Sequence, residues 1–446
     1  MTRLRTMPRA LLAILALALV VRLALIAATP HYLPHSPFDA WDYDRHAQSI
    51  ASGHGFPPWI FHKSSPSAYR PPLYPYLLAA TYKLAPGTFT AGRALNALLG
   101  TVAVLLIFLI ADRLWGPRPA VAAGALSAVF PPLVVLNASA NVEPLFIALE
   151  LGMVLSLLVY RDAGRRYRWA LLAGALCGLA TLTRSNGFVL ALPLLLALPA
   201  GGVGLRARLA PAALALLVAA LVVSPWTIRN AVVFHGKFIP VSNTAGYALA
   251  GIFNDESRHD PNAKGAWRAP HRDLSNLPIY LHAIRPPYDY DEADVDRALA
   301  KKALRYIRDN PGYAVEAVGL NVYRLMAPGA NALTTRLSYD AMGVPQRLRR
   351  VVTYSYYPVA LLALVGLAMA ISRRRLGPLW LWSLPVLLGL SFAVLAGDPR
   401  YRTTLDPFLL LLAGFALESL AARANIEWPV GNETRLSRSR SEEKIL

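Results

Sequence analysis

Apolar runs of about 20 residues recur along this chain, separated by short connections rich in arginine. Each run is long enough to cross ~30 Å of hydrocarbon, and no soluble core could hide so many. The composition agrees: 55% of the residues are hydrophobic and 16% charged, where a soluble domain carries about 25% charged residues. The fold class read from this pattern is an all-α polytopic membrane protein. The first run, Ala10 to Ala28, follows Arg3, Arg5 and Arg9, but it is long for a cleaved signal peptide and contains Arg22. It reads as an uncleaved first helix with its N-terminus inside. Further spans are expected at 91–112, 119–136, 143–160, 168–183, 187–199, 209–227, 353–371, 377–396 and 403–421, about ten transmembrane helices with the first. The short runs 168–183 and 187–199 fit a helical hairpin or re-entrant pair as well as full spans.

The arginines orient these spans. With the N-terminus inside, the inner connections hold Arg113 and Arg118, then Arg161, Arg165, Arg166 and Arg168, then Arg206 and Arg208, then Arg373, Arg374 and Arg375. The outer connection 137–142 has no basic residue, as the positive-inside rule expects. Both termini are therefore expected in the cytoplasm, in an inner or plasma membrane. The net charge of +19 follows from this arginine bias, so nucleic acid is not an expected partner. The single cysteine, Cys177, excludes an internal disulfide and lies inside an apolar run.

The expected organisation is an N-terminal membrane domain 1–229, an extracytoplasmic segment 230–352, C-terminal membrane helices 353–422, and a disordered cytoplasmic tail 423–446. The first outer loop, 30–90, is expected to carry a helix over Ala40 to Ser52 and an interfacial helix over Pro72 to Leu84, too short to span and rich in Pro and Tyr. In the outer segment, Asp291 to Arg308 and Gly312 to Met326 read as amphipathic helices.

Polar residues with chemical potential gather on the outer side. Asp39, Asp42 and Asp44 lie close together in the first loop. Asp39 stands where an N-cap would, a role compatible with that of a general base held at the membrane surface. Asp42 lies one turn on and is the rival base. Glu143 opens the fourth span, where a helix N-terminus favours a carboxylate. Arg22, Arg70, Arg184, Arg229, Arg400 and Arg402 fall on the same side. One arginine alone reads as snorkelling to headgroups. Several of them opposite two carboxylates favour a phosphate-bearing lipid, because the guanidinium fork matches phosphate. His31, His35, His46, His54 and His62 share the first loop at spacings that match no metal motif, so a divalent cation remains an open alternative.

At this point the chain resembles a family. Asp39-Ala40-x-x-Tyr43 with Ala47 and Gly53-His54-Gly55-Phe56, then Tyr69-Arg70-Pro71-Pro72-Leu73-Tyr74-Pro75, is similar to the C-type (GT-C) membrane glycosyltransferases. It resembles more narrowly the bacterial relatives of dolichyl-phosphate-mannose protein mannosyltransferase (family 39) and of the aminoarabinose lipid A transferase. Glu143-Pro144-Leu145-Phe146, Leu182-Thr183-Arg184, Pro225-Trp226-x-x-Arg229-Asn230 and Arg400-Tyr401-Arg402 follow in the family's order and extend the likeness over nearly the whole chain. The resemblance implies a polyprenyl-phosphate-linked sugar donor, an extracytoplasmic site, Asp39 as catalytic base, Glu143 as a second acidic position, and Tyr43 and Tyr74 among the substrate contacts. Two departures are plain. The mannosyltransferase branch has Asp-Glu where this chain has Asp39-Ala40, and the family often has Arg-Pro where this chain has Arg184-Ser185.

Residues and resemblance together give a membrane glycosyltransferase that moves a sugar from a polyprenyl-phosphate donor to a lipid, glycan or protein acceptor by one inverting displacement, with Asp39 as general base. The alternative is a lipid-linked saccharide flippase or transporter without catalytic activity. Such a transporter should show internal inverted repeats, and the sequence shows none.

Overall fold

The long apolar runs fold as helices, since a helix bonds its own backbone groups without water. The computed structural model describes residues 8–30, 39–62, 65–85, 89–162, 166–198, 205–327 and 329–424. Its first half contains α1 (Pro8–Ala28), α2 (Asp39–Ala51), α3 (Leu73–Leu84), α4 (Phe89–Trp115), α5 (Pro117–Val129), α6 (Pro131–Val135), α7 (Glu143–Asp162), α8 (Tyr167–Thr183), α9 (Ala191–Ala197) and α10 (Leu205–Val233). The outer segment contributes α11 (Ala245–Ile252), α12 (Asp255–Arg258), α13 (Leu277–Ile284), α14 (Glu292–Asp309), α15 (Pro311–Leu325) and α16 (Leu333–Ala341). The chain closes with α17 (Gln346–Ser372), α18 (Leu379–Leu395), α19 (Pro399–Arg402) and α20 (Asp406–Arg423). Among the described residues there is no strand. Both termini, including the arginines before Met7 and the tail beyond Ala424, lie outside the described residues.

About ten spans were expected, and the structure is more broken than that. Among the described residues five helices are long and apolar enough to cross a membrane: α1, α4, α7, α10 and α17. A sixth is the pair formed by α5 with 131–138, bent by 52°. Pro131 and Pro132 at the break lack the N–H that would continue the ladder. The other expected spans are shorter helices. α8 ends at Arg184, whose backbone is extended, and the chain then takes a 3₁₀ turn over Ser185–Leu190 before α9. α18 has 17 residues, about 26 Å of rise, a little under the hydrocarbon thickness.

These helices share one apolar core, in which α1, α4, α5, α7, α8, α17, α18 and α20 all take part. The outer segment and the first loop share a second core, built by Trp59 of the loop with Tyr247, Phe253, Val295, Leu299 and Tyr313. The two expected amphipathic helices are present as α14 and α15. α14 starts with a capping box: Asp291 accepts from the Asp294 amide at 3.0 Å, and Asp294 accepts from the Asp291 amide at 3.1 Å.

Glu292, in the first turn of α14, ties this segment to the first loop. It is 1% exposed and accepts from Ser67 Oγ at 2.7 Å and from the Ala68 amide at 2.8 Å. Burial pushes its carboxyl up to about 8, against the pull of these donors. A carboxyl whose folded value lies above its unfolded value favours the fold while protonated. That stabilisation is lost as pH rises from the unfolded value toward 8. Melting in detergent should therefore occur at a lower temperature at pH 9 than at pH 6, and Glu292→Gln should remove at least half of the difference. An equal difference in the variant would show that Glu292 is not its source.

The orientation is testable with the same framework, because native Cys177 is 2% exposed and gives little background. Cysteine at exposed Asp309 should label with an impermeant reagent in intact cells, and cysteine at exposed Arg118 only after lysis. The reverse pattern would overturn the expected topology.

Candidate active site

Three pieces of chain meet at one end of the bundle. The first is α2. Tyr43 on α2 meets Tyr74 on α3 edge-on, with ring centroids 5.2 Å apart, among Ala47, Leu78 and Tyr82. This apolar contact fixes α2 and leaves Asp39 and Asp42, in its first turn, beside Arg70 in the segment before α3. Arg70 spans both: Nη2 donates to Asp39 Oδ1 and Nε to Asp42 Oδ2, each at 2.7 Å. Its guanidinium lies over the Tyr43 and Tyr69 rings at 4.8 and 5.0 Å.

The second piece is the stretch that leads into α7. Asn96 Nδ2 donates to the carbonyls of Ser139 and Asn141 at 2.8 and 2.9 Å, and the Tyr74 hydroxyl donates to Asn96 Oδ1 at 3.2 Å. Arg93 bonds the Ala138 carbonyl and Thr29. These bonds satisfy the irregular backbone and fix Glu143 at the start of α7, where it is fully buried. Glu143 Oε1 accepts from Arg184 Nη1 at 2.6 Å.

The third piece is α19. Gly397 turns the chain with φ 60°, and a Cβ there would come within 2.5 Å of Asn321. Asp398 then caps the helix: Oδ1 accepts from the Arg400 amide at 2.8 Å and from Ser338 Oγ at 2.5 Å. The Arg400 side chain thereby enters the site.

Arg400 joins the three pieces. Its Nη2 donates to Asp39 Oδ2, its Nε lies 3.2 Å from Glu143 Oε1, and its Nη1 donates to Asn141 Oδ1 at 3.3 Å. Arg184 stacks over Tyr401 at 4.5 Å and Phe392 at 5.2 Å. Burial alone would raise the Asp39 carboxyl, but the Arg70 and Arg400 guanidiniums outweigh it and hold it well below the usual carboxylate range. Burial likewise opposes Asp42, and Arg70 and His46 outweigh it. Burial disfavours the charge on Arg400, but Glu143 and Asp39 outweigh it and raise its value.

The expected residues are not all here. Asp39, Asp42, Glu143, Arg70, Arg184 and Arg400 form the network, with Tyr43 and Tyr74 packed beneath it. Asp39 does not act mainly as a helix cap; its two oxygens go to Arg70 and Arg400. Asp44 bonds Tyr82 and Gln48 instead. Arg402 turns away into the bundle: it pairs with Asp406 at 3.3 Å and lies 3.7 Å over the Tyr356 ring. Arg22 is 1% exposed and bonds the carbonyls of Ala18 and Ala128 at 2.9 and 3.1 Å, bracing the bent pair α5–α6. Arg229 holds the Ser67 carbonyl at 2.8 Å and stacks on Trp226. Sequence reasoning assigned no role to Tyr401, Tyr69, Asn141 or Asp398. Each lies within two residues of an assigned charge, the one signal that could have found them. Among the described residues no three of His, Cys, Asp and Glu converge to hold a metal ion.

The family described as dolichyl-phosphate-mannose-protein mannosyltransferase matches residues 69–228. Over 144 residues the chain is 38% identical to the undecaprenyl phosphate-alpha-4-amino-4-deoxy-L-arabinose arabinosyl transferase of Pseudomonas paraeruginosa, covering 30% of this chain and 26% of that protein. The oligosaccharyltransferase AglB of Archaeoglobus fulgidus, solved with an inhibitory peptide and a dolichol-phosphate, is similar with a TM-score of 0.53 and 13% identity, covering 98% of this chain and 52% of that one. A crystal structure of the Archaeoglobus fulgidus oligosaccharyltransferase with zinc and sulfate gives 0.52 and 15%, covering 92% and 49%. At these identities the structural likeness is one of fold. The chain spans about a quarter of the curated relative and about half of the structural ones. The likeness carried by its motifs is thus found again independently: this multi-pass membrane protein resembles the GT-C glycosyltransferases and has an aminoarabinose transferase relative.

Proposed function

We propose that the chain is a membrane glycosyltransferase taking its sugar from a polyprenyl-phosphate donor on the extracytoplasmic side, with both termini in the cytoplasm. The observation that carries this is Arg400 bonded to Asp39 and ion-paired at 3.2 Å with Glu143, which gathers guanidiniums and carboxylates at one end of apolar helices. Carboxylates suit proton transfer from an acceptor hydroxyl. Guanidiniums suit the charge that develops on a departing phosphate in a partly dry site.

Exposure separates the roles. The Asp39 side chain keeps 28% of its surface open, Asp42 11% and Glu143 none. Asp39 is the carboxylate an acceptor can reach, and it acts as the base. Glu143 orients Arg184 and Arg400. In one displacement Asp39 takes the hydroxyl proton and the acceptor oxygen bonds to the anomeric carbon. The bond from that carbon to the phosphate oxygen breaks, and the lipid phosphate leaves with the electron pair. A single such step inverts the anomeric configuration. Arg70 and Arg400 face the phosphate, with Arg184 behind them. The acceptor is a hydroxyl of a lipid, glycan or protein.

The test is transfer from a purified polyprenyl-phosphate sugar by full-length protein in vesicles. Asp39→Asn should lower turnover by about 10² to 10⁴. Asp42→Asn should be milder, and Asp44→Asn nearly silent. Full activity in Asp39→Asn with loss in Asp42→Asn moves the base to Asp42. Unchanged activity in all three, at unchanged thermal stability, sinks the catalytic reading and favours the flippase.

A further inference from the structure

Asp39 is held in an arrangement that makes it a weak base. Two guanidiniums bond it, Arg70 from the segment before α3 and Arg400 from α19. The other charged or titratable groups around it are Asp42 and Tyr43 on its own helix, and Tyr69 beside Arg70. Across the site stand Glu143 on α7, Arg184 after α8, and Tyr401 and Asp398 beside Arg400. Asp39, Asp42 and Glu143 are each paired with a guanidinium of Arg70, Arg184 or Arg400, Asp42 with Arg45 as well, and Asp398 stands beside Arg400. A phosphate arriving here brings negative charge, and one guanidinium must turn to meet it.

Redundancy points to Arg400. Without it, Glu143 keeps Arg184 at 2.6 Å and Asp39 keeps Arg70 at 2.7 Å, so no carboxylate is left bare. Arg184 stacks on two rings, Tyr401 and Phe392, where Arg400 lies over one, Tyr401, at 5.0 Å and bonds its hydroxyl at 3.2 Å. Arg70 is pinned by both α2 carboxylates and two tyrosine rings. Withdrawing Arg400 also frees a group without an uncompensated buried charge, the costly outcome when an ion pair is broken.

We infer that Arg400 is a positioning residue that couples the donor to the base: the lipid phosphate draws Arg400 off Asp39, and Asp39 becomes a competent proton acceptor only once the donor phosphate is in place. The inference rests on the polyprenyl-phosphate reading above. Losing one guanidinium and gaining a nearby anion both favour the protonated carboxyl. Arg70 keeps Asp39 in place meanwhile. The donor therefore binds before the acceptor proton can be taken.

The test uses full-length protein in nanodiscs. In the wild type, the acid limb of kcat, which reports the donor-bound enzyme, should lie at least about one pH unit above that of kcat/KM for donor, which reports the free enzyme. In Arg400→Gln the gap should shrink to what the phosphate's own charge produces, because Asp39 is released from Arg400 from the start. A purely structural role for Arg400 would lower both parameters and leave the gap. A gap unchanged in the variant, or no gap in the wild type, overturns the coupling. A second measurement needs no variant: undecaprenyl phosphate added to the wild type at pH 4 should drive proton uptake, and undecaprenol, which lacks the phosphate, should not. Binding of undecaprenyl phosphate without uptake overturns the coupling alone. No binding of it overturns the donor reading as well.

Discussion

The ion pairs of one guanidinium hold this site together. Arg400 bonds Asp39, 361 residues away, and lies against Glu143, so the first loop, the start of α7 and the last turn before α20 are joined through a single side chain. None of the three pieces would find the others by local preference. α2 is placed by the Tyr43–Tyr74 contact, Glu143 by the bonds of Asn96 and Arg93 to the chain before it, and Arg400 by the turn at Gly397 and the Asp398 cap. The apolar helices supply the stiffness, and polar side chains placed at their ends supply the register.

The arrangement costs basicity. Carboxylates that bind guanidiniums this closely are stable as anions, and a carboxylate stable as an anion is slow to take a proton. The proposed reaction needs Asp39 placed, charged and eventually basic. The structure meets the first two needs with Arg70 and Arg400 together. The duplicated pairing, two guanidiniums on Asp39 and two on Glu143, leaves room for the third. The same economy appears in the outer segment, where Ser67 lies between Glu292 and Arg229 and ties the loop that carries Arg70 to α14 and α10.

The sequence made some of this legible and hid the rest. Asp39, Glu143, Arg184 and Arg400 could be picked out as a set, because carboxylates and guanidiniums that fall together on the outer side point to one site. Their neutral partners could not: Tyr401 and Asn141 look like any interfacial tyrosine or loop asparagine until the chain folds. Arg402 misled because it is two residues from Arg400, yet ~100° of helical turn per residue sends it to the opposite side, onto Asp406. Arg22 was grouped with the substrate arginines because it lies in the outer half of the first helix, and the carbonyls it bonds, Ala18 and Ala128, carry no side-chain signal. Hydropathy also cannot see the bend at Pro131 or the extended residue at Arg184. The second core was hidden too: its aromatics, from Trp59 to Tyr313, are scattered over some 250 residues with no local period.

On the proposed function, this ion-pair network is where the lipid phosphate and the acceptor meet. An electron cryomicroscopy structure of the full-length protein with undecaprenyl phosphate tests it most directly. The phosphate should lie within hydrogen-bond distance of the Arg400 guanidinium, on the side of the site where Asp39 is open to an acceptor. A phosphate bound elsewhere, with the Arg400 pairs to Asp39 and Glu143 intact, would contradict it.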